Sequence, residues 1–174
     1  PDTNLSLLSN LKGLGFTTDR FVYLLIREGG LKPEVKLPAG FSIRRFAAGS
    51  DEQAWCEIRN CAFSSLKGNE SPITADMVRE MVAGEDYIYG GMLLLMDGEK
   101  PVGLIRGSKD EYEGRIVMNI GPVAVLPSYQ GKGLGRALLR ALLVFAHEQS
   151  YGCTTLSVNA DNESALSLYI HEGF

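Results

Sequence analysis

The residues best suited to chemistry lie at Gln130-Gly131-Lys132-Gly133-Leu134-Gly135-Arg136, between an apolar strand-like run and a long helical pattern. Glycine permits backbone conformations and close approaches that a Cβ would block. At a helix start, several N–H groups then stay free to point at an anion, and the helix dipole adds to the attraction. Phosphate or pyrophosphate is the natural guest. Lys132 and Arg136 add positive charge, each charge-assisted hydrogen bond contributing about 1.5–3 kcal/mol. The spacing is Gly-x-Gly-x-Gly, not the Gly-x-Gly-x-x-Gly dinucleotide fingerprint, and no Gly-Lys-Ser/Thr follows as in a P-loop. ATP or NAD binding is therefore the weakest reading of the turn.

The elements around that turn follow from hydrophobic periodicity. Phe41 to Phe46 opens with the alternation of a half-buried strand. Ser50 and Gln53 have the spacing of a capping box, ahead of Trp55, Ile58 and Ala62 at helical spacing. A short helix is expected from about Thr74 to Val82. Met92 to Met96 and Pro101 to Ile105 read as strands joined by a turn at Asp97-Gly98. Ile116 to Leu126 is a strand broken at Gly121-Pro122, which suggests a bulge or fraying. Leu134 to Glu148 carries an apolar stripe and closes at Tyr151-Gly152, Thr154 to Val158 is a strand, and Asn162 to Glu172 is a last helix. The alternation indicates an α/β sheet, antiparallel in its front half, with a crossover at the Gly-rich turn.

Composition narrows the class. The chain has 174 residues, 45% hydrophobic and 22% charged, which suits a globular domain rather than a disordered one. Its net charge of -4 argues against a dedicated nucleic-acid binder, and its apolar runs are too short for a membrane span. Three cysteines, Cys56, Cys61 and Cys153, make no disulfide framework, so a reducing, cytoplasmic setting is the expectation. Two histidines and no Cys-x-x-Cys pair give no reason to expect a structural metal site.

The run Val123 to Leu138 resembles the acetyl-CoA signature of the GNAT superfamily of N-acetyltransferases, whose core Gln/Arg-x-x-Gly-x-Gly/Ala is met by Gln130, Gly133 and Gly135. A second family signature is similar to Asn162-Glu163-Ser164-Ala165, Leu168-Tyr169 and Gly173-Phe174. The resemblance covers about Phe41 to Phe174. It implies a mixed, mostly antiparallel central sheet flanked by helices and splayed at the acetyl-CoA strand. It also implies acetyl-CoA as acyl donor and direct transfer to a primary amine. The alternative is a domain that holds acyl-CoA without turnover.

Residue by residue, the resemblance places acetyl and pantetheine on the backbone of Val123, Ala124 and Val125. It places the pyrophosphate on Gln130, Gly131, Lys132, Gly133, Leu134, Gly135 and Arg136, and gives Asn162 a place beside the pantetheine arm. Tyr169 would stand at the sulfur as the acid that protonates the thiolate, and the Val125 N–H would stabilise the oxyanion. Asn162 and Tyr169 are seven residues apart, two helical turns, and so face one groove. No base is named by the sequence. Glu57, Glu111, Glu113 and His147 read as surface groups, His171 as a cation suited to a helix C-terminus, and Cys153 and Trp55 as core. The acceptor, small amine or peptide, would be met by the loop from Phe63 to Pro72 and the two early helices.

The two ends are related. Asn4 to Phe16 aligns without gaps with Asn162 to Phe174, six of thirteen positions being identical, and Leu11 stands in the place of Tyr169. Residues 1–36 therefore read as a segment resembling the tail of a GNAT domain. Residues 37–174 read as a GNAT-like domain lacking its usual terminal strands. The strong strand former from Arg20 to Arg27 is expected to pair with the C-terminal half of the sheet, within one chain or exchanged in a homodimer.

Overall fold

The computed structural model describes residues 5–29, 32–66 and 71–174, and Asn4 of the repeat and residues 67–70 of the acceptor-side loop lie outside them. The elements run α1 (Leu5–Gly13), β1 (Val22–Glu28), β2 (Phe41–Arg45), α2 (Glu52–Phe63), α3 (Ala75–Ala83), β3 (Tyr87–Asp97), β4 (Lys100–Tyr112), β5 (Arg115–Val125), α4 (Leu134–Glu148), β6 (Cys153–Asn159) and α5 (Glu163–His171). Six strands form one sheet in the order β1-β6-β5-β4-β3-β2, and only the β5–β6 pair is parallel.

Both faces of the sheet's centre are covered. On one face Leu93, Leu95, Ile105 and Met118 pack with Leu138 and Leu142 of α4; on the other Met92, Leu94 and Leu104 pack with Trp55, Ile58 and Val78. This two-sided burial is why Met92 to Met96 is apolar throughout instead of alternating. β3 and β4 both run beyond the spans expected of them; the polar end of β4, Ser108 to Tyr112, pairs with Arg115 to Asn119 of β5 in a pattern that hydropathy does not signal.

The expected capping box at Ser50 and Gln53 does not form. Asp51 is the N-cap residue, its carboxylate gripped by both Nη atoms of Arg44 and by the Ala47 N–H, while Glu52 accepts from the Gly49 N–H. The Asp51 carboxylate is taken up by the charged fork of Arg44 and makes no bond to the helix's own first-turn amides. Arg44 holds the Asp51 carboxyl below its ordinary value, chiefly through this hydrogen bond. At α3 the cap is conventional, with Thr74 Oγ1 accepting from Met77 N at 3.4 Å.

The N-terminal strand docks as its composition demands. β1 pairs antiparallel with β6 from Val22↔Asn159 to Glu28↔Cys153 within the same chain, and Leu25 packs against the core beneath α4. Replacing Leu25 with Asp therefore places a carboxylate in a half-buried apolar site. We expect a loss of roughly 2–3 kcal/mol, or a melting temperature lower by about 4–12 °C. An unchanged melting curve would mean that β1 does not dock.

The internal repeat extends to conformation. α1 and α5 have the same length and alignment, and Gly15 (φ 87°) and Gly173 (φ 92°) both adopt the left-handed conformation. The chain then turns back identically, Phe16 N donating to Leu11 O at 3.0 Å and Phe174 N to Tyr169 O at 3.1 Å. The difference is burial: α1 buries none of its residues, whereas α5 buries Tyr169.

Candidate acetyl-CoA site

The site begins at the break in β5. Gly121 and Pro122 together face the single β4 residue Arg106, since Ile120 opposes Gly107 and Val123 opposes Ile105. This is a bulge of two residues against one, where proline has no N–H to give to a ladder. Pairing of β5 to β6 covers only Met118↔Thr154 to Ile120↔Leu156, after which the two strands part. The result is a cleft of about 200 Å³, bounded by Pro122 and Val123 on one side and by Val158, Asn159, Asn162 and Tyr169 on the other.

Register decides which backbone groups reach this cleft. Leu126 N donates to Val102 O at 2.9 Å, so alternation along the antiparallel ladder makes Leu104–Ala124 the next bonded pair. The polar groups of Ala124 are therefore turned to β4, and its side chain is buried on the α2 side. Of the three strand residues expected to meet the ligand, Ala124 turns neither its N–H nor its C=O toward the splay. The N–H and C=O of Val123 and the N–H of Val125 point instead toward the splay. The Val125 carbonyl accepts from Gln130 Nε2 at 2.9 Å, so Gln130 ties the turn to the strand through its side chain.

After the 3₁₀ turn Pro127–Tyr129 comes the glycine-rich segment. Gly131 and Gly133 both have φ of 76°, a left-handed conformation that favours glycine, and a Cβ at either would meet nothing within 4 Å. Ala137 N to Gly133 O, 3.1 Å, is the first bond of α4. Among the described residues no acceptor is found for the amides of residues 131 to 136. Open amides at the start of a fifteen-residue helix form a concave, positively polarised surface suited to an anion. Leu134 contributes only its amide, because its side chain is in the core.

The two cations of the turn differ from each other. Lys132 Nζ stands 5.1 Å from the centre of the Tyr129 ring, whose hydroxyl donates to Asp97 at 3.0 Å, so the ammonium is parked beside the open amides. Arg136 turns its Nε to Glu172 at 3.2 Å. The Glu172 side chain is only 5% exposed and also takes a fork from Arg140 at 2.8 and 3.0 Å. Arg136 thus turns one edge of its guanidinium to Glu172, and its side chain is otherwise half-exposed.

On the far wall, Asn162 caps α5, its Oδ1 accepting from Ala165 N at 3.2 Å. That leaves its amide nitrogen for a ligand. Tyr169 is 8% exposed, its ring edge-on to Phe174, and no hydrogen-bond partner for its hydroxyl is found among the described residues. Burial pushes its phenol up to about 12. It is the titratable side chain among the described residues that line the cleft. The groups set aside in the sequence lie elsewhere. Glu57 accepts from Gln53 at 2.9 Å, Glu111 and Glu113 are exposed, and His171 Nδ1 lies 2.6 Å from Ser167 O. Trp55 and Cys153 are buried. The three cysteines are free thiols.

Residues 53–174 match the family described as Acetyltransferase (GNAT) family. The chain belongs to the GNAT acetyltransferase family. Among curated relatives, the mycothiol acetyltransferase of Paenarthrobacter aurescens is 33% identical over 166 residues, which cover 93% of this chain and 51% of that protein. That of Actinosynnema mirum is 34% identical over 164 residues, covering 92% and 54%. The chain thus spans about half the length of the curated relatives it matches. In fold, a GCN5-related N-acetyltransferase from Sphaerobacter thermophilus superposes with a TM-score of 0.73 at 24% identity, over 91% of this chain and 48% of that one. A GNAT family acetyltransferase from Brucella melitensis, solved with acetyl-CoA, gives 0.57 at 22% identity over 67% and 74%.

Within this GNAT fold, sequence reasoning missed Glu172 and Arg140. Both sit outside the signature positions, and only the packing of α5 on α4 brings them together. The Arg-x-x-x-Arg spacing of Arg136 and Arg140 on one helical face was the available signal.

Proposed function

We propose that this chain carries out acetyl-CoA-dependent N-acetylation, the acetyl group passing directly to a primary amine. The observation that carries the reading is the continuity of the open amides of residues 131–136 with a splay between β5 and β6 that ends at Tyr169. Acetyl-CoA, when bound, supplies the acetyl group as an activated thioester. Gly131 to Arg136 hold its pyrophosphate with their amides, helped by Lys132. Val123 and Asn162 line the path of the arm that lies in the splay. The Val125 N–H points away from β4 on the side where β5 and β6 part, has no ladder partner among the described residues, and would be available to a developing negative charge on oxygen. Tyr169 keeps its proton at Oη and presents it toward a leaving sulfur.

A phenol near 12 is a weak acid for a thiol of ordinary value about 8.5. The dry surroundings that raise the phenol raise a thiolate's basicity as well, which narrows the gap. No carboxylate or imidazole is found among the described residues of the cleft wall, so the acceptor's proton would leave to a base or water chain beyond that wall. That same observation is what favours the second reading, a domain that holds acyl-CoA without turnover. For the acceptor we infer a small-molecule amine related to mycothiol, which rests on the activity for which the relatives are named.

Calorimetric titration of acetyl-CoA into the 174-residue chain, followed by acetylation assays on a panel of small amines, tests the reading. Micromolar binding, about -8 kcal/mol, with turnover of one amine class is expected. Binding without turnover of any amine would favour the holding domain, and no binding would overturn both. We also propose that residues 1–36 are the tail of a preceding domain of the same kind, supported by the identical caps of α1 and α5.

A further inference from the structure

Between β1 and β2 the chain crosses the outer surface of α4. Lys32 Nζ meets Glu148 Oε1 at 2.6 Å at the end of that helix, and the Glu34 carbonyl accepts from Arg140 at 3.2 Å in its middle. Leu37 then packs against the core near the helix start. The strap thus runs antiparallel to α4 and brings Lys36, Leu37 and Pro38 opposite its first turns. With Lys132, Gly133 and Arg136 they bound a cleft of about 370 Å³. The strap lies outside the 53–174 span that matches the family.

Charge in this cleft is one-sided. Glu172 answers Arg140 and one edge of Arg136. Glu34 answers Lys36 at 3.0 Å, but both side chains are more than 70% exposed, so that pair is readily exchanged. Lys132 leans on a tyrosine ring and not on a carboxylate. Leu37, Pro38 and Ala137 supply an apolar wall. A site with surplus positive charge beside an apolar wall, sharing Lys132 and Gly133 with the pyrophosphate cradle, suits a phosphate monoester carried on a nucleoside.

We propose that this cleft takes the 3′-phosphoadenosine end of acetyl-CoA, with Lys36 and Lys132 on the 3′-phosphate and Leu37 and Pro38 against the purine. The strap is then a specificity element that distinguishes CoA from its 3′-dephospho form. This rests on the reading that the amides of residues 131–136 hold the pyrophosphate.

The test is calorimetry with CoA and 3′-dephospho-CoA on the full chain, for wild type, Lys36→Ala and Lys36→Arg. Wild type should prefer CoA. Lys36→Ala should reduce that preference by up to roughly five-fold, the upper end for an exposed ion pair, while leaving the dephospho-CoA affinity unchanged. Lys36→Arg should restore the preference, and added salt should shrink it in wild type. A preference unchanged by Lys36→Ala, with both ligands still bound, overturns the strap assignment alone. Failure of wild type to bind either ligand overturns the pyrophosphate reading and this one together.

Discussion

Tyr169→Phe should lower kcat by roughly 100-fold or more, the usual effect of losing a positioned proton donor, while the dissociation constant of acetyl-CoA stays within about two-fold. The substitution removes one hydroxyl that has no hydrogen-bond partner among the described residues and keeps the ring against Phe174. Folding therefore loses nothing from a broken bond, and the melting temperature should hold. Full turnover by the variant would exclude Tyr169 as the donor.

The pH profile carries a second signature of the same group. Burial disfavours the phenolate, so Tyr169 keeps its proton until about 12. The rate of wild type should rise with pH as the acceptor amine loses its proton, and show no fall from Tyr169 below about pH 11, given that raised phenol. Linkage works in the same sense: the raised phenol adds stability that is complete below about pH 10 and is lost as pH climbs toward 12, because there only the unfolded chain ionises. A descending rate limb near pH 9 would show that some other group governs the donor.

Gly133→Ala should do the opposite to the two kinetic constants. Gly133 has φ of 76° at the N-cap of α4, beside the free amides, and a Cβ there would stand in open space. An alanine there meets no protein atom, yet it occupies the ground an anion needs. It also adopts a left-handed conformation at a cost of roughly 1–2 kcal/mol. We expect acetyl-CoA to bind at least about ten-fold more weakly, consistent with loss of one good charge-assisted contact. The melting temperature should fall by about 2–8 °C. At saturating donor, kcat should remain near wild type, since Tyr169 and Val125 are untouched. Unchanged affinity would mean that the anion sits elsewhere.

Much of the site was legible because its chemistry is local. Gly131, Gly133 and Gly135 ahead of an apolar helical stripe announce a helix start with free amides, and Gly121-Pro122 announces a broken strand, whatever surrounds them. The bulge, the splay and the cradle all appear where those residues stand. The periodicity of Leu134 to Glu148 likewise placed α4 with its expected bounds.

Other features depend on partners far apart in sequence. Ala124 stands in the middle of the signature, yet ladder alternation turns its polar groups to β4. The Ser50–Gln53 box yielded to Asp51 because β2 delivers Arg44 to that helix end. Arg136 is shared with Glu172, and Lys36 reaches the glycine-rich turn only because a strap crosses α4. By itself the sequence determined most of the elements, the glycine-rich turn ahead of α4 and the break in β5, since each follows from the conformational limits of a few adjacent residues. Only the tertiary structure decided which amides face the cleft, which cations are left for a ligand and how far the phenol is raised. Those depend on register, ion pairing and burial, which arise when distant segments meet.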